Sequence, residues 1–491
     1  MKKKTLVITI CVVLAVLVLA FAACSENTKR DPVKTDLPAN ASIKSNGGMA
    51  VRYGDYVYFI NGYAGETVDN TFGTPVRGSI CRATIKNGEP DYTTVQTIVP
   101  KNVFGEDKTY GGIYIVNGYI YYNTTSVDKN SNREYKNTQG VLTRTSLDGS
   151  KTEVLKELND NDIVLYAGDN SKYLVYSFDS YIYSVNSETN EIKLLTKSNA
   201  KNPTSEEQTA VAYKFAGDYA VFTMYNYADE NNYSADYIVW AFNLKTGDLK
   251  EIASSDIYNG NTDRAVLYTT TVSDIIPSED DGFTMYYTKK GNDNGKLKDG
   301  YYSCTFSNKD MAYKAENEVR YTYGTDTTYS KFSRLSNGYT LAFSKQYFDV
   351  FASDGNKVYT AENKPMRLNF EKEVTLVSVE ETDSEVFVYY VLDSKFYYVK
   401  LFDKNEGAFT QASDDAIYFF SGKYNSSYVS YDIIDNIIYY LNDDMEDNAY
   451  YYAFDVTKIT KDTDRATGKI LGIISEKDKV TLVTEEASDK K

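Results

Sequence analysis

The chain contains no histidine, and that absence removes more chemistry than any motif present supplies. Ser-His-Asp and Cys-His catalysis, imidazole general bases and His-ligated zinc are all excluded. An enzyme built on this chain would have to run on carboxylates, Tyr, Lys or a metal held by oxygen ligands. Cysteine is also scarce: of 4, Cys11 and Cys24 fall in or just after an apolar leader, leaving Cys81 and Cys304. Tryptophan occurs once, as Trp240, and proline only 8 times in 491 residues. No long stretch carries a heptad or a sustained helical apolar rhythm, so little helix is expected beyond the leader. A Gly-rich phosphate loop of the Walker or dinucleotide type is missing too. Basic patches do not stand out, and the formal net charge is −16. A surface this acidic repels polyanions, so nucleic acid is not an expected partner.

What the chain has instead is tyrosine, 48 of them, with 22 phenylalanines. Aromatic and β-branched residues suit a pleated, half-buried surface and favour strands. Eight times a tight Asp/Asn/Gly turn hands over to a short alternating strand. These begin at Asp55-Tyr56, Gly118-Tyr119, Lys172-Tyr173, Asp218-Tyr219, Gly282-Phe283, Gly338-Tyr339, Glu385-Val386 and Asn436-Ile437. The mean step is about 54 residues, the signature of a repeat architecture. A second mark, a polar turn after the third strand, also occurs eight times, from Ile85-Lys86-Asn87-Gly88 to a weaker Phe454–Thr457. The fold expected is an all-β propeller of eight four-stranded blades, with seven as the alternative, after an N-terminal signal helix. The first blade reads Met49–Tyr53, Tyr56–Asn61, Ile80–Ile85 and Thr94–Val99. Near the end, Ala416–Phe420 and Tyr428–Ile433 compete for one strand slot. Val480–Thr484 is a further strand that could pair with the first blade and close the ring.

The N-terminus reads as an address. Lys2, Lys3 and Lys4 precede an apolar Leu6–Ala20 run, and Ala22-Ala23 precedes Cys24. The layout is that of a secretory signal, and it resembles a bacterial lipoprotein signal, which implies lipidation at Cys24. Phe21 departs from the aliphatic residue usual in that motif. An uncleaved membrane helix is the alternative. The expected division is 1–23 signal peptide, 24–46 lipidated Cys and flexible tether, and 47–491 a single propeller. The protein would then sit lipid-anchored at the cell membrane, facing the extracytoplasmic side. Cys81 and Cys304 fall in third strands of blades one and five, across the ring, so two separate buried thiols are expected rather than a bridge.

The Gly118–Tyr122 second strand and the Thr145–Gly149 turn resemble those of the Tyr-rich propeller lipoproteins of Gram-positive anaerobes. More distantly the pattern is similar to TolB-like and low-density-lipoprotein-receptor-type propellers. The chain lacks their repeated Trp-Asp dipeptide and Tyr-Trp-Thr-Asp strand. The resemblance implies a shape and an address and carries no catalytic residue.

Candidate chemistry is thin. Strand tyrosines are expected to fill the wedge between blades, whereas Tyr63, Tyr225, Tyr227, Tyr233 and Tyr424 fall in polar connections suited to ligand contact. Acidic clusters at Asn159–Asp162, Ser278–Asp281, Asn292–Asn294, Asp443–Asn448 and Asp462–Asp464 could hold Ca²⁺. None is an EF-hand loop, and Asp128–Gln139 carries Arg133 where the Gly belongs. No other cofactor is expected. Gly47-Gly48 and Gly111-Gly112 open inner strands where backbones crowd. The functional expectation is a monomeric, non-catalytic binding or scaffolding module for a glycan, peptide or envelope protein. The alternative is a carboxylate-based hydrolase or lyase acting on an extracellular polysaccharide, needing two acids with raised pKa in the central funnel.

Overall fold

The computed structural model describes residues 41–60, 79–99, 112–125, 140–158, 163–197, 209–227, 235–255, 271–289, 300–321, 329–359, 363–370, 372–392, 395–403 and short strands from 408 to 482. The signal segment, Cys24 and most of the 24–46 tether lie outside the described residues. Almost everything described is strand, with one 3₁₀ turn at Ala315–Asn317.

Eight antiparallel sheets of four or five strands follow one another along the chain, each built from consecutive strands in sequence order. The second strands are Tyr56–Ile60, Tyr119–Thr125, Tyr173–Phe178, Tyr219–Tyr227, Phe283–Lys289, Thr340–Ser344, Glu385–Leu392 and Ile437–Asn442. All eight lie where the Asp/Asn/Gly marks placed them. The turn chemistry explains why. Asn117-Gly118 and Asp435-Asn436 have positive φ at both residues, which joins two strands with their native twist. The second mark is an Asx turn: Asn243 Oδ1 accepts the amides of Lys245 (2.8 Å) and Thr246 (3.1 Å), and Asn186 does the same for Glu188 and Thr189.

The sheets stack face on face in chain order. One apolar cluster joins sheets 2 and 3 through Tyr121, Leu142, Leu165 and Leu174. Others join sheets 3 and 4, 4 and 5, 5 and 6, and 6 and 7 in turn. The first sheet packs on sheet 2 through Ile113 and Tyr122, and on sheet 8 through Ile434, Ile437 and Tyr439. First meeting last is what closes a ring. The architecture is a β-propeller.

The expected C-terminal strand forms, as Lys479–Leu482, but pairs with Ile473–Glu476 in a hairpin that lies beside the outermost strand of sheet 1, Glu89–Val99, without a ladder to it among the described residues. The ring instead closes at its N-terminal end, where Ile43–Lys44 adds an extra strand inside Ala50–Tyr53 of sheet 1. Ordered structure therefore reaches into the last residues of the expected tether. The two strands that competed for one slot both form: Ile417–Ser421 pairs within sheet 7, and Tyr431–Ile434 opens sheet 8.

Cys81 and Cys304 are separate, buried free thiols in sheets 1 and 5. Burial pushes Cys81 up to about 12 and Cys304 up to about 11. Since the thiolate is the reactive form, alkylation of the native chain should leave both unlabelled, and denaturant should expose both. Peptide mapping checks this; rapid native labelling of either would contradict the packing.

Candidate functional site

The inner strands line the ring axis: Ala50–Tyr53, with Ile43–Lys44 added inside it, then Tyr114–Val116, Val164–Tyr166, Ala210–Ala216, Thr271–Pro277, Lys331–Arg334, Thr375–Glu381 and Tyr431–Ile434. Three carry a register shift near the start, between Ala210 and Ala212, Val272 and Asp274, and Leu376 and Ser378. A bulge re-aims the side chains around it. Val211 is thereby left 44% exposed, while Asp274 turns in and accepts the Phe332 amide of sheet 6 at 3.0 Å.

A turn at Ser45–Gly48 lies across these strands and works as a strap. Ser45 Oγ donates to Asp432 Oδ1 of sheet 8 at 2.5 Å. The Asn46 side chain donates to the carbonyls of Ile115 in sheet 2 and Gly168 in sheet 3, and accepts the Ile115 amide at 2.7 Å. The backbones of Gly47 and Gly48 pair with Ile113. Gly47 and Gly112 sit at φ 95° and 90°, where a side chain would be strained. Backbone crowding read from the glycine pairs is present here. Beside the strap, Lys44 (2.5 Å) and Arg52 pair with Asp435 in the sheet 8 turn.

Three carboxyls at the axis are displaced upward. Desolvation lifts Asp432 to about 7, aided by the charge of Glu380 on sheet 7. Desolvation also raises Glu380 and, with the charge of Asp218, Asp169. The axis is thus neither uncharged nor wholly apolar. Near Asp169 the wall is aromatic, with Tyr166 stacked on Phe215 at 4.9 Å and Tyr213 tilted against Phe215.

The predicted contact tyrosines divide. Tyr63, Tyr233 and Tyr424 lie outside the described residues. Tyr225 and Tyr227 are not in a connection: they extend the second strand of sheet 4, paired with Tyr237 and Ala235. Strand pairing continues further there than the polar Asn226 suggested. Of the acidic clusters, only Ser278–Asp281 is described. Asp280 accepts from Ser278 Oγ at 2.7 Å and from the Gly282 amide, while Asp281 lies 3.6 Å from Lys245. Its oxygens are engaged in shaping the turn. Among the described residues no group of three or more Cys, Asp or Glu is placed to hold a metal.

Sequence reading missed a repeated cation-on-tyrosine arrangement. Arg144 lies 4.1 Å from the Tyr119 ring, pairs with Glu153 at 2.6 Å and donates to the Ser187 carbonyl of sheet 3. Arg367 covers Tyr347 and grips the buried Asp349; Lys289 covers Tyr302 and pairs with Glu318. A Tyr and a cation on adjacent strands of one sheet is the signal that could have found it. Replacing Arg144, only 5% exposed, by Ala should cost about 3 kcal/mol through unpaired buried groups. Denaturant titration checks this; a change under about 1 kcal/mol would make the cluster ornamental.

No protein-family model matches the chain, and no curated protein sequence matches it. Solved structures do resemble it in shape. Dipeptidyl peptidase 4 of Porphyromonas gingivalis is 10% identical, with a TM-score of 0.43, over 88% of this chain and 61% of that one. The chain thus spans about three fifths of that peptidase. The propeller domain of the Trilobed protease from Pyrococcus furiosus is 10% identical with a TM-score of 0.35, over 76% of this chain and 98% of that one. Hsv2p of Kluyveromyces lactis matches at 10% identity and a TM-score of 0.36, over 76% and 98%.

Proposed function

We propose that this propeller is a lipid-anchored, extracytoplasmic binding module of eight blades, one per sheet, held through Cys24. Its recognition surface is the end of the ring remote from the tether. The observation that carries this reading is the polarity of the connections. The chain enters the ring beside the first inner turn, where the Gly54 amide donates to the Ser42 carbonyl at 3.0 Å. All eight first-to-second-strand turns are short and, by antiparallel order, lie at that same end. The connections 61–79, 100–113, 126–139, 195–209 and 256–270 all leave from strand ends on the opposite side. At the tether end three third-to-fourth-strand connections are also long, 307–317, 352–366 and 456–468; the second folds back on itself through two isolated bridges.

Long connections on a rigid scaffold are where recognition concentrates. Those named above are rich in Asn, Gly, Thr and Tyr, the adaptable polar and rigid aromatic mixture of antibody-like contact surfaces. A glycan, a peptide or an envelope protein fits that chemistry.

A thermal-shift panel of wall glycans, oligosaccharides, peptides and Ca²⁺ identifies the ligand, since about 2.7 kcal/mol is added at about 100 times the dissociation constant. A bulky maleimide adduct at a cysteine replacing Lys129 or Lys290 should then block binding. The same adduct at Asp55, in the tether-side turn, should not. Blockage from Asp55 alone would sink the assignment of faces. A second reading, a polysaccharide hydrolase or lyase, is favoured by the coupling of Asp432 with Glu380. It requires turnover that Asp432→Asn abolishes.

A further inference from the structure

Asp432 is an acid in an unusual position, placed on the inner strand of the last sheet where that sheet meets the first. Oδ1 accepts from Ser45 Oγ, at 2.5 Å, and from its neighbour's amide, Ile433. Oδ2 is shut off from solvent and makes no well-formed hydrogen bond, although the nearby Ala50 amide favours the charged form. It lies against the Gly48 backbone so closely that a Cβ at 48 would overlap it. The charged groups around it do not help. Glu380, from sheet 7, is of like sign. Lys44 and Arg52, from sheet 1, are engaged with Asp435 rather than Asp432. On the far side of the strap, Asp169 receives the Asn46 amide and faces Asp218, another like charge, which Lys245 pairs at 2.9 Å.

A neutral carboxyl fits this site, because it needs no counter-ion and its Oδ1 still accepts the Ser45 hydroxyl. An ionised one puts a buried charge beside Glu380 with no cation in contact, which a closed seam resists. We infer that the Ser45–Gly48 strap is a proton-operated latch on the ring, shut while Asp432 is neutral and loosened where sheet 1 meets sheet 8 when that carboxyl gives up its proton to solvent.

The direction follows from linkage. Asp432 is raised from 3.8 to about 7 in the folded chain. An acid with a raised folded pKa binds more protons closed than open between those values. The closed state is therefore favoured most at and below the unfolded pKa and loses that advantage as pH climbs to about 7, beyond which the loss is complete. The Asp435 pairs act oppositely: ion pairing lowers that acid, so they weaken only at strongly acid pH.

Hydrogen exchange of the full chain in detergent, corrected for intrinsic rates, tests the latch. Peptides covering 41–53 and 431–442 should open on the order of tenfold or more faster at about pH 7 than at about pH 5. Peptides 271–289 and 300–321 of sheet 5 should show little change. Asp432→Asn, a neutral isostere, should flatten the pH dependence at the seam. Ser45→Ala should raise seam opening at every pH while keeping the slope. Equal pH dependence of seam and sheet 5 in the natural chain overturns the latch, whether or not either variant folds.

Discussion

Gly112→Val should cost the chain about 4 kcal/mol or more, the largest loss expected from any single substitution at the axis. Two penalties combine at this position. Gly112 sits at φ 90°, a region that a β-branched residue essentially never adopts. A Cβ there would also overlap the Gly47 carbonyl oxygen, and the backbone of Gly47 lies close behind it. That carbonyl cannot swing away freely, because the Gly47 amide donates to the Ile113 carbonyl at 2.7 Å and the Gly48 carbonyl accepts the Ile113 amide at 2.9 Å. Relief would have to come from separating sheets 1 and 2, which share a cluster of fully buried side chains including Ile80, Ile113 and Ile120. Gly88→Ala is the control: its φ is 85°, yet nothing lies within 4 Å of the added carbon. It should lose only about 1 kcal/mol, from strain alone. Chemical denaturation of both variants checks the difference. Equal losses would mean that the close approach at the axis does not exist.

Removing residues 41–46 should be more damaging than removing the C-terminal hairpin. The short N-terminal piece carries the extra inner strand of sheet 1, the Asn46 bonds to sheets 2 and 3, and the links from Lys44 and Ser45 to sheet 8. Among these, the Lys44 pair is half exposed and worth little by itself. The half-buried side-chain amide of Asn46 is different, since its departure leaves an orphaned backbone donor at Ile115 and costs about 1–3 kcal/mol. Loss of the strap should therefore broaden the unfolding transition and lower its midpoint as sheets 1 and 8 part. The hairpin Ile473–Leu482 lies beside the outermost strand of sheet 1 but, among the described residues, pairs with no other sheet, so truncation before Ile473 should lower the midpoint less. The reverse ranking, measured by thermal unfolding of the two truncated chains, would return ring closure to the C-terminus.

The fold was largely legible because its information is local. Each Asn-Gly or Asp-Asn turn fixes a hairpin by its own backbone preferences, and the aromatic alternation that follows fixes which face is buried. Eight second strands could thus be placed from pairs of residues. Closure was not legible, because it depends on contacts such as Lys44–Asp435, 391 positions apart, between residues with no distinguishing local pattern. The same holds for Asp432. In sequence it is one acid among 69, and only the approach of Gly48 and Glu380 sets it apart. The tyrosines were read correctly as packing residues, but not the cations laid over them. Tyr225 and Tyr227 were misplaced because the polar Asn226 between them looks like a loop, whereas pairing with Asp236 holds it in a strand.

Closure of the ring by its first and last sheets is the claim on which the latch and the faces both rest, and a zero-length carbodiimide cross-link tests it most directly. The Lys44 ammonium and the Asp435 carboxylate lie 2.5 Å apart, so activation of the carboxyl should join them without a spacer. Mass spectrometry of the digested, folded chain is expected to find a Lys44–Asp435 peptide pair that vanishes when the reaction is run in denaturant. Recovery of Lys44 joined only to carboxylates near it in sequence, with none from sheet 8, would show that the ring does not close there.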